Sequence, residues 1–349
     1  MAHLILKRVR PLQTKLVPGV VWGKSMYMEN TRALFRAPNV VTRIPSQYKT
    51  GFLSYDNGLT WDEKQCNFPF SFVYESGCTS DDDLYITTMS RTCAKPKVYV
   101  SKDQGIHWSS VALTKTDKIS KQRTDAHSHK NDFQHAAVTL PDGSLLCTGG
   151  PRAALPGITY RTVDGGKIWE TLQPGIPRAL SGHAMAVLPD HSILLTGGLK
   201  ETYTGACATN NVLRSFDLGS TWHTIAYIEP HRGWSARYGH NMVVSKKTGA
   251  VFLMNGQNEK REFFNDMWVS FDGGYTWDFV GEMPWLPRSR ASVHMIKNNG
   301  QEEIRLLGGQ YTTAVDMFGM HDVWVLNLAF TTADQIKLAK NSTKPPLQP

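Results

Sequence analysis

A chain of 349 residues, 41% hydrophobic and 19% charged, can bury a sizeable core. Its formal net charge of +8 and pI near 9.1 favour acidic partners over basic ones and carry no information about fold. No stretch is long and apolar enough to cross a membrane as a helix, and the N-terminus lacks the apolar segment of a secretory signal. Five cysteines, Cys66, Cys78, Cys93, Cys147 and Cys207, form no CxxC pair and cannot all pair with one another, which points to a reduced, intracellular and cytoplasmic setting.

In chain order, the first predicted element is a strand over residues 4–9. It lies in a basic stretch that has no acidic residue before Glu29 and is similar to an organellar import peptide, a competing reading of the same residues. Residues 20–50 show only short apolar pieces and read as an irregular first unit. A second unit is expected from about Phe70 to Trp108, with strands around Leu84 to Thr87 and Val98 to Val100. Residues 114–132 are too polar to pack and read as a long surface loop.

From His135 onward the periodicity sharpens. Segments opening at His135, His183, His240 and His294 each read as an apolar strand, a turn, a second apolar strand and a Gly-Gly or Asn-Gly pair. Third strands follow at residues 158–162, 211–215, 266–270 and 322–327, so each unit is four short strands. Residues 331–349 are polar, end in proline and read as a flexible tail.

One eight-residue pattern occurs five times, at residues 54–61, 101–108, 162–169, 215–222 and 270–277. Ser or Thr stands two before an Asp (Asp56, Asp103, Asp164, Asp217, Asp272), Gly two after it, and Trp three further on (Trp61, Trp108, Trp169, Trp222, Trp277). A carboxylate that accepts backbone N–H bonds, a glycine free to take positive φ and an indole anchor together describe a tight turn between strands. The pattern resembles the Asp-box, or BNR, repeat of β-propellers. The double glycines, with Asn265-Asp266-Met267-Trp268 and His321-Asp322-Val323-Trp324, resemble the kelch repeat.

These resemblances cover about residues 19–330 and imply an all-β, six-bladed β-propeller of four-stranded blades forming one domain over 1–330, with 331–349 as tail. Successive Asp-box aspartates lie 47, 61, 53 and 55 residues apart, and Trp324 lies 56 after Trp268, which supplies the sixth unit. That unit lacks a fourth strand of its own. Residues 4–9 are expected to provide it and so close the ring.

In such an architecture the Asp-boxes are structural turns, and the opposite loops carry the candidate ligand- or partner-binding residues Arg36, Arg43, Arg152, Arg178, Trp234, Arg237, Tyr238, Arg288 and Arg290. Arg178, Arg237 and Arg290 stand at nearly equivalent points and are expected to converge on the channel mouth, where their repulsion calls for an anion. Sialidases share the Asp-box, and Phe35-Arg36-Ala37-Pro38 and Thr42-Arg43-Ile44-Pro45 resemble their Arg-Ile-Pro motif. Their nucleophile and acid/base residues have no counterpart that can be assigned, so no catalytic residue is named.

The repeated histidines could ring a channel-bound metal, and His127, His129, Asp125 and Asp132 are a second metal candidate. Recurrence at one place in every unit favours hydrogen bonding within the unit, so neither a metal nor a cofactor is expected. The reading is a non-catalytic binding platform presenting a basic loop face to a protein partner or acidic ligand within a larger assembly; no nucleic-acid motif is present. A sialidase-like glycoside hydrolase or carbohydrate-binding propeller is the alternative.

Overall fold

The structure, a computed structural model, describes residues 5–12, 25–36, 50–67, 75–78, 81–88, 97–111, 135–149, 157–177, 180–202, 205–227, 233–312, 317–320 and 322–329. The described residues contain no helix. They form six four-stranded antiparallel sheets. In chain order these are Ser25–Met28, Ala33–Arg36, Thr50–Ser54 and Asp62–Gln65; Glu75–Cys78, Leu84–Thr88, Lys97–Ser101 and Ser109–Ser110; and Ala136–Thr139, Leu145–Thr148, Gly157–Thr162 and Glu170–Ile176. The fourth sheet comprises Ala184–Val187, Ile193–Thr196, Asn211–Ser215 and His223–Tyr227, and the fifth Asn241–Val244, Val251–Met254, Asp266–Ser270 and Asp278–Glu282.

The sixth sheet joins the two ends of the described chain. Ser292–Asn298, Gln301–Leu307 and Val323–Ala329 are followed across the sheet by Ile5–Leu12, which runs antiparallel to the last of them from Ile5 opposite Ala329 to Leu12 opposite Val323. The expected N-terminal strand is therefore present and extends three residues past its expected end. Of the region expected to be irregular, Ser25–Met28 and Ala33–Arg36 instead form the first two strands of a complete first sheet, with Ala33-Leu34-Phe35 fully buried. The long loop 114–132 and the tail 331–349 lie outside the described residues.

The apolar core lies between sheets. Each hydrophobic cluster draws on two neighbouring sheets: Phe35 and Leu53 meet Leu84 and Ile86, Tyr85 and Val98 meet Leu145 and Cys147, and Leu146 meets Ile193 and Leu195. Likewise Leu194 meets Leu253, Phe252 meets Ile304 and Leu306, and Leu34 meets Leu307 and Val323. Alternate residues of one strand face opposite neighbours, so a second strand buried on both faces must be apolar throughout, as Ile193-Leu194-Leu195 is. The first strands of successive sheets lie side by side, and that of the sixth lies beside that of the first. There, Ser25 N donates to Ser292 Oγ at 2.9 Å, and Ser25 Oγ bonds His294 Nε2 at 2.7 Å. Six sheets arranged this way are consistent with a blade-based propeller.

The five repeated turns join the third and fourth strands of the first five sheets, and each uses its residues alike. The Ser or Thr hydroxyl donates to the Asp at 2.8–2.9 Å and accepts from the Gly N–H at 2.8–2.9 Å. The Asp then accepts the N–H four residues on, at 2.8–3.0 Å. Burial works against ionisation of Asp56, Asp103, Asp164 and Asp217, but these bonds outweigh it and hold all four below the usual carboxylate range. The turn also reaches the previous sheet: a Cβ on Gly105 would come closer than 3.0 Å to the Phe35 ring, and one on Gly274 closer than 3.0 Å to Leu194.

Two outcomes follow. Gly105→Ala combines that clash with a left-handed φ of 93° and is expected to cost about 3 kcal/mol or more, read as a lower urea midpoint. Deleting residues 1–12 leaves Val323–Ala329 as an open edge; size-exclusion chromatography should then show aggregation, and a monomer of unchanged melting temperature would refute the strand's role.

Candidate functional site

Antiparallel order places the turns between strands one and two, and between three and four, at one end of every sheet. The connections from strand two to three, and from each sheet to the next, stand at the other, upper end. Two of these upper connections carry extra strands: Leu199–Thr202 and Gly205–Ala208 pair after the second strand of the fourth sheet, with Leu180–Ser181 alongside, and Gln310–Thr312 pairs with Met317–Gly319 after that of the sixth.

Three of the recurring histidines tie neighbouring sheets together. Their Nε2 atoms bond threonine hydroxyls that close the second strand of the preceding sheet: His135 to Thr87 at 2.6 Å, His183 to Thr148 at 2.6 Å and His240 to Thr196 at 2.9 Å. Burial, reinforced by neighbouring positive or imidazole groups, pushes His183 and His240 down to about 3, so both are neutral. His294 does not belong to this series. Ala291 occupies the equivalent place, packing on Gly309 as His183 packs on Gly198 and His240 on Gly256. Among the described residues no group of three or more His, Cys, Asp or Glu is placed to hold a metal; His127, His129, Asp125 and Asp132 lie outside them.

The arginines differ from the expected basic rim. Arg237 is fully buried; it donates from Nη1 and Nη2 to Asp266 at 2.5 and 2.7 Å, from Nη1 to Asn255 O and from Nε to Ser235 O. Arg288 repeats this one sheet on, with Asp322 at 2.5 and 2.7 Å, Gly308 O and Leu286 O. Burial opposes ionisation of Asp322, but bonds from Arg288 and the Trp324 indole, with the Arg288 charge, hold its carboxyl below the usual range. Two arginines read as anion-seeking are thus closed on carboxylates from the start of the third strands. The signal for those partners was the repeated Asp-x-Trp, in which Trp268 and Trp324 donate to Asp266 and Asp322 at 2.8 and 2.6 Å.

Trp234 is also internal, edge-on to Trp277 with ring centroids 6.1 Å apart, because the loop folds inward over the interface between sheets four and five. Tyr238 is half-buried. Its hydroxyl accepts from Gln257 Nε2, and its backbone exchanges hydrogen bonds with Gln257 at 2.9 and 3.0 Å. Arg290, rather than Arg288 or Arg237, faces solvent. It occupies the place held by Gly182 and Gly239 in the two preceding units: their φ values are 65° and 63°, and Arg290 shares the left-handed conformation at 55°. A backbone chain links the three, Gly239 N to Gly182 O and Arg290 N to Gly239 O, both at 2.7 Å.

Arg36 ends the second strand of the first sheet and is buried. It lies on the same strand face as Leu34, which packs on the sixth sheet, and its Nη2 lies 3.1 Å from where a side chain on Gly308 would begin. Burial lowers its basicity to about 10 against the opposing pull of Asp322, so it stays charged at neutral pH. Arg43, Arg152 and Arg178 lie outside the described residues.

The neutral histidines set a pH dependence. Below about pH 6.5 the unfolded chain binds protons at His183 and His240 that the folded chain refuses down to about 3, so stability is full above 6.5 and falls with acidification by up to about 1.4 kcal/mol per pH unit per histidine. The turn aspartates add their own loss only at lower pH, below their ordinary value of 3.8. Urea unfolding between pH 6.5 and 4.5 should show a slope that the double variant His183→Gln, His240→Gln flattens; an unchanged slope would refute the neutral assignment.

No family model matches the sequence, and no curated protein does. Among solved structures the chain is similar to that of YjhT, with a TM-score of 0.58 at 11% identity over 91% of this chain and 99% of that one. At that identity the likeness bears on fold alone, and with the sheets described above it is consistent with an all-β, propeller-like protein.

Proposed function

We propose that residues 1–330 form a six-bladed β-propeller of kelch and Asp-box type, closed by the N-terminal strand, and that it serves as a non-catalytic platform whose upper loops bind a protein partner or acidic ligand. Closure is supported by the pairing of Ile5–Leu12 with the last sheet and by the bonds from Ser25 to the sixth sheet. An intracellular setting agrees with the absence of any disulfide among Cys66, Cys78, Cys147 and Cys207.

One observation carries the binding reading. The recurring polar residues, namely the His–Thr bonds, the Arg–Asp pairs and the Asp-box turns, are engaged in joining strands and sheets. What distinguishes one upper loop from another is its unrepeated residues, among them exposed Arg290, Leu286 (69% exposed) and Tyr311. A rigid frame with variable loops at one end is suited to presenting a surface.

The test compares ends. Leu286→Glu and Tyr311→Glu alter the upper loops, and Val163→Glu and Phe216→Glu the exposed turns at the other end. In cross-linking mass spectrometry from cells, the upper pair should lose the partner set that wild type and the lower pair retain. Loss by the lower pair alone would move the binding face to the Asp-box end.

A further inference from the structure

We propose that the space enclosed by the first strands of sheets one, four, five and six is a binding site for an uncharged small molecule with an apolar body and a hydroxyl or amide group, the polar group meeting the Tyr27 hydroxyl. This goes beyond the platform reading and uses none of its upper loops.

The first observation is the cavity itself. It has a volume of about 280 Å³ and is lined by Tyr27, Ala186, Met242, His294, Met295 and four valines, so among the described residues its wall carries no Lys, Arg, Asp or Glu. The His294 Nε2 is already bonded to Ser25 Oγ at 2.7 Å. An ion entering this space would lose its hydration and meet no opposite charge, which disfavours acids and bases as ligands. Lys246 and Glu29 pair between the turns beneath it, from the fifth sheet to the first, and both remain exposed to solvent. A dry cavity of about 150 Å³ holds a benzene ring, so this one takes a compact body of roughly ten to twelve non-hydrogen atoms. Two methionines let the wall adapt to its outline.

The second observation is hydrogen-bonding capacity inside this apolar wall. The Tyr27 hydroxyl is buried without a hydrogen-bond partner of good geometry, although the Lys297 backbone lies near it. Burial, the largest influence, raises the phenol above its ordinary value, so it stays protonated and can donate. The backbone adds more. The bonds from Leu188 N to Ser192 O and from Ser245 N to Ala250 O, at 2.8 and 2.9 Å, set the phase between the first and second strands of sheets four and five. With that phase and register, Val187, Met242 and Val244 turn their N–H and C=O groups away from the second strand, and all three residues line the cavity. A mainly apolar wall with a few fixed donors and acceptors suits an amphiphile better than a hydrocarbon or a salt.

Purified full-length protein is titrated at neutral pH, by isothermal calorimetry, with thymol, with p-cymene as the same body lacking the hydroxyl, and with cuminate as a charged analogue of similar size. Thymol should bind saturably and more tightly than either. Ala186→Leu, which fills the cavity, should raise the thymol dissociation constant about tenfold or more. Tyr27→Phe, which removes one oxygen, should raise it about threefold to tenfold and leave that of p-cymene unchanged. Because Tyr27→Phe keeps the ring and its packing, it still decides the matter if Ala186→Leu fails to fold. No saturable binding by any probe, cuminate binding as tight as thymol, or thymol affinity unchanged in Tyr27→Phe overturns the site. Leu286→Glu alters the upper loops and should leave thymol binding as it is, so failure here and failure of the platform reading are told apart.

Discussion

Everything in this fold depends on apolar contact between one sheet and the next. A lone four-stranded sheet of this chain would expose Ile193-Leu194-Leu195 or Val251-Phe252-Leu253 to water on both faces, and only the neighbours on either side remove them. At about 1.5–3 kcal/mol for each fully buried Leu, Ile or Phe side chain, that interface outweighs any single polar contact in the molecule. The polar groups set its register. The Thr–His bonds at the upper end and the Asp-box turns at the lower fix how adjacent sheets meet, and glycine lets the turn approach the neighbouring core closely.

The repeat made the fold largely legible from the residues. Asp-box spacing, double glycines and alternating apolar strands pointed to four strands per unit and to an N-terminal strand completing the last unit. The first sheet was harder to read because its second strand, Ala33-Leu34-Phe35-Arg36, carries a charge at the position where the other five have Ile86, Cys147, Leu195, Leu253 and Leu306. The candidate site was read less well. Arg237 and Arg288 sit in loops and look solvent-facing in sequence, yet their partners Asp266 and Asp322 lie 29 and 34 residues downstream, across the sheet. Pairing at that separation leaves no local signature except the neighbouring tryptophan. The sixth unit misled for a related reason: His294 resembles the repeated histidine, but the Gly-Gly contact marks Ala291 as its counterpart.

The Arg237–Asp266 and Arg288–Asp322 pairs, set against Arg36, separate two ways of burying a guanidinium. Arg237 and Arg288 each have four of their five N–H donors, on all three guanidinium nitrogens, answered from within the chain, which offsets the cost of burying them. Arg36 has no ion pair among the described residues, and its buried Nε has no hydrogen-bond partner. At this position the first sheet departs from the apolar pattern of the other five.

The pairing of Ile5–Leu12 with Val323–Ala329 also orders events during synthesis. Ile5–Leu12 is made before every other described strand and has no place to go until Val323–Ala329 has followed, while the sheets between can collapse on their neighbours as they emerge. Closing so long a loop comes at a large entropic cost and late in time, so an incompletely synthesised chain carries an unsatisfied strand at each end. The nascent protein is thus most prone to mispairing just before its last strand appears, and chains truncated near residue 320 would be the species that quality control most needs to recognise.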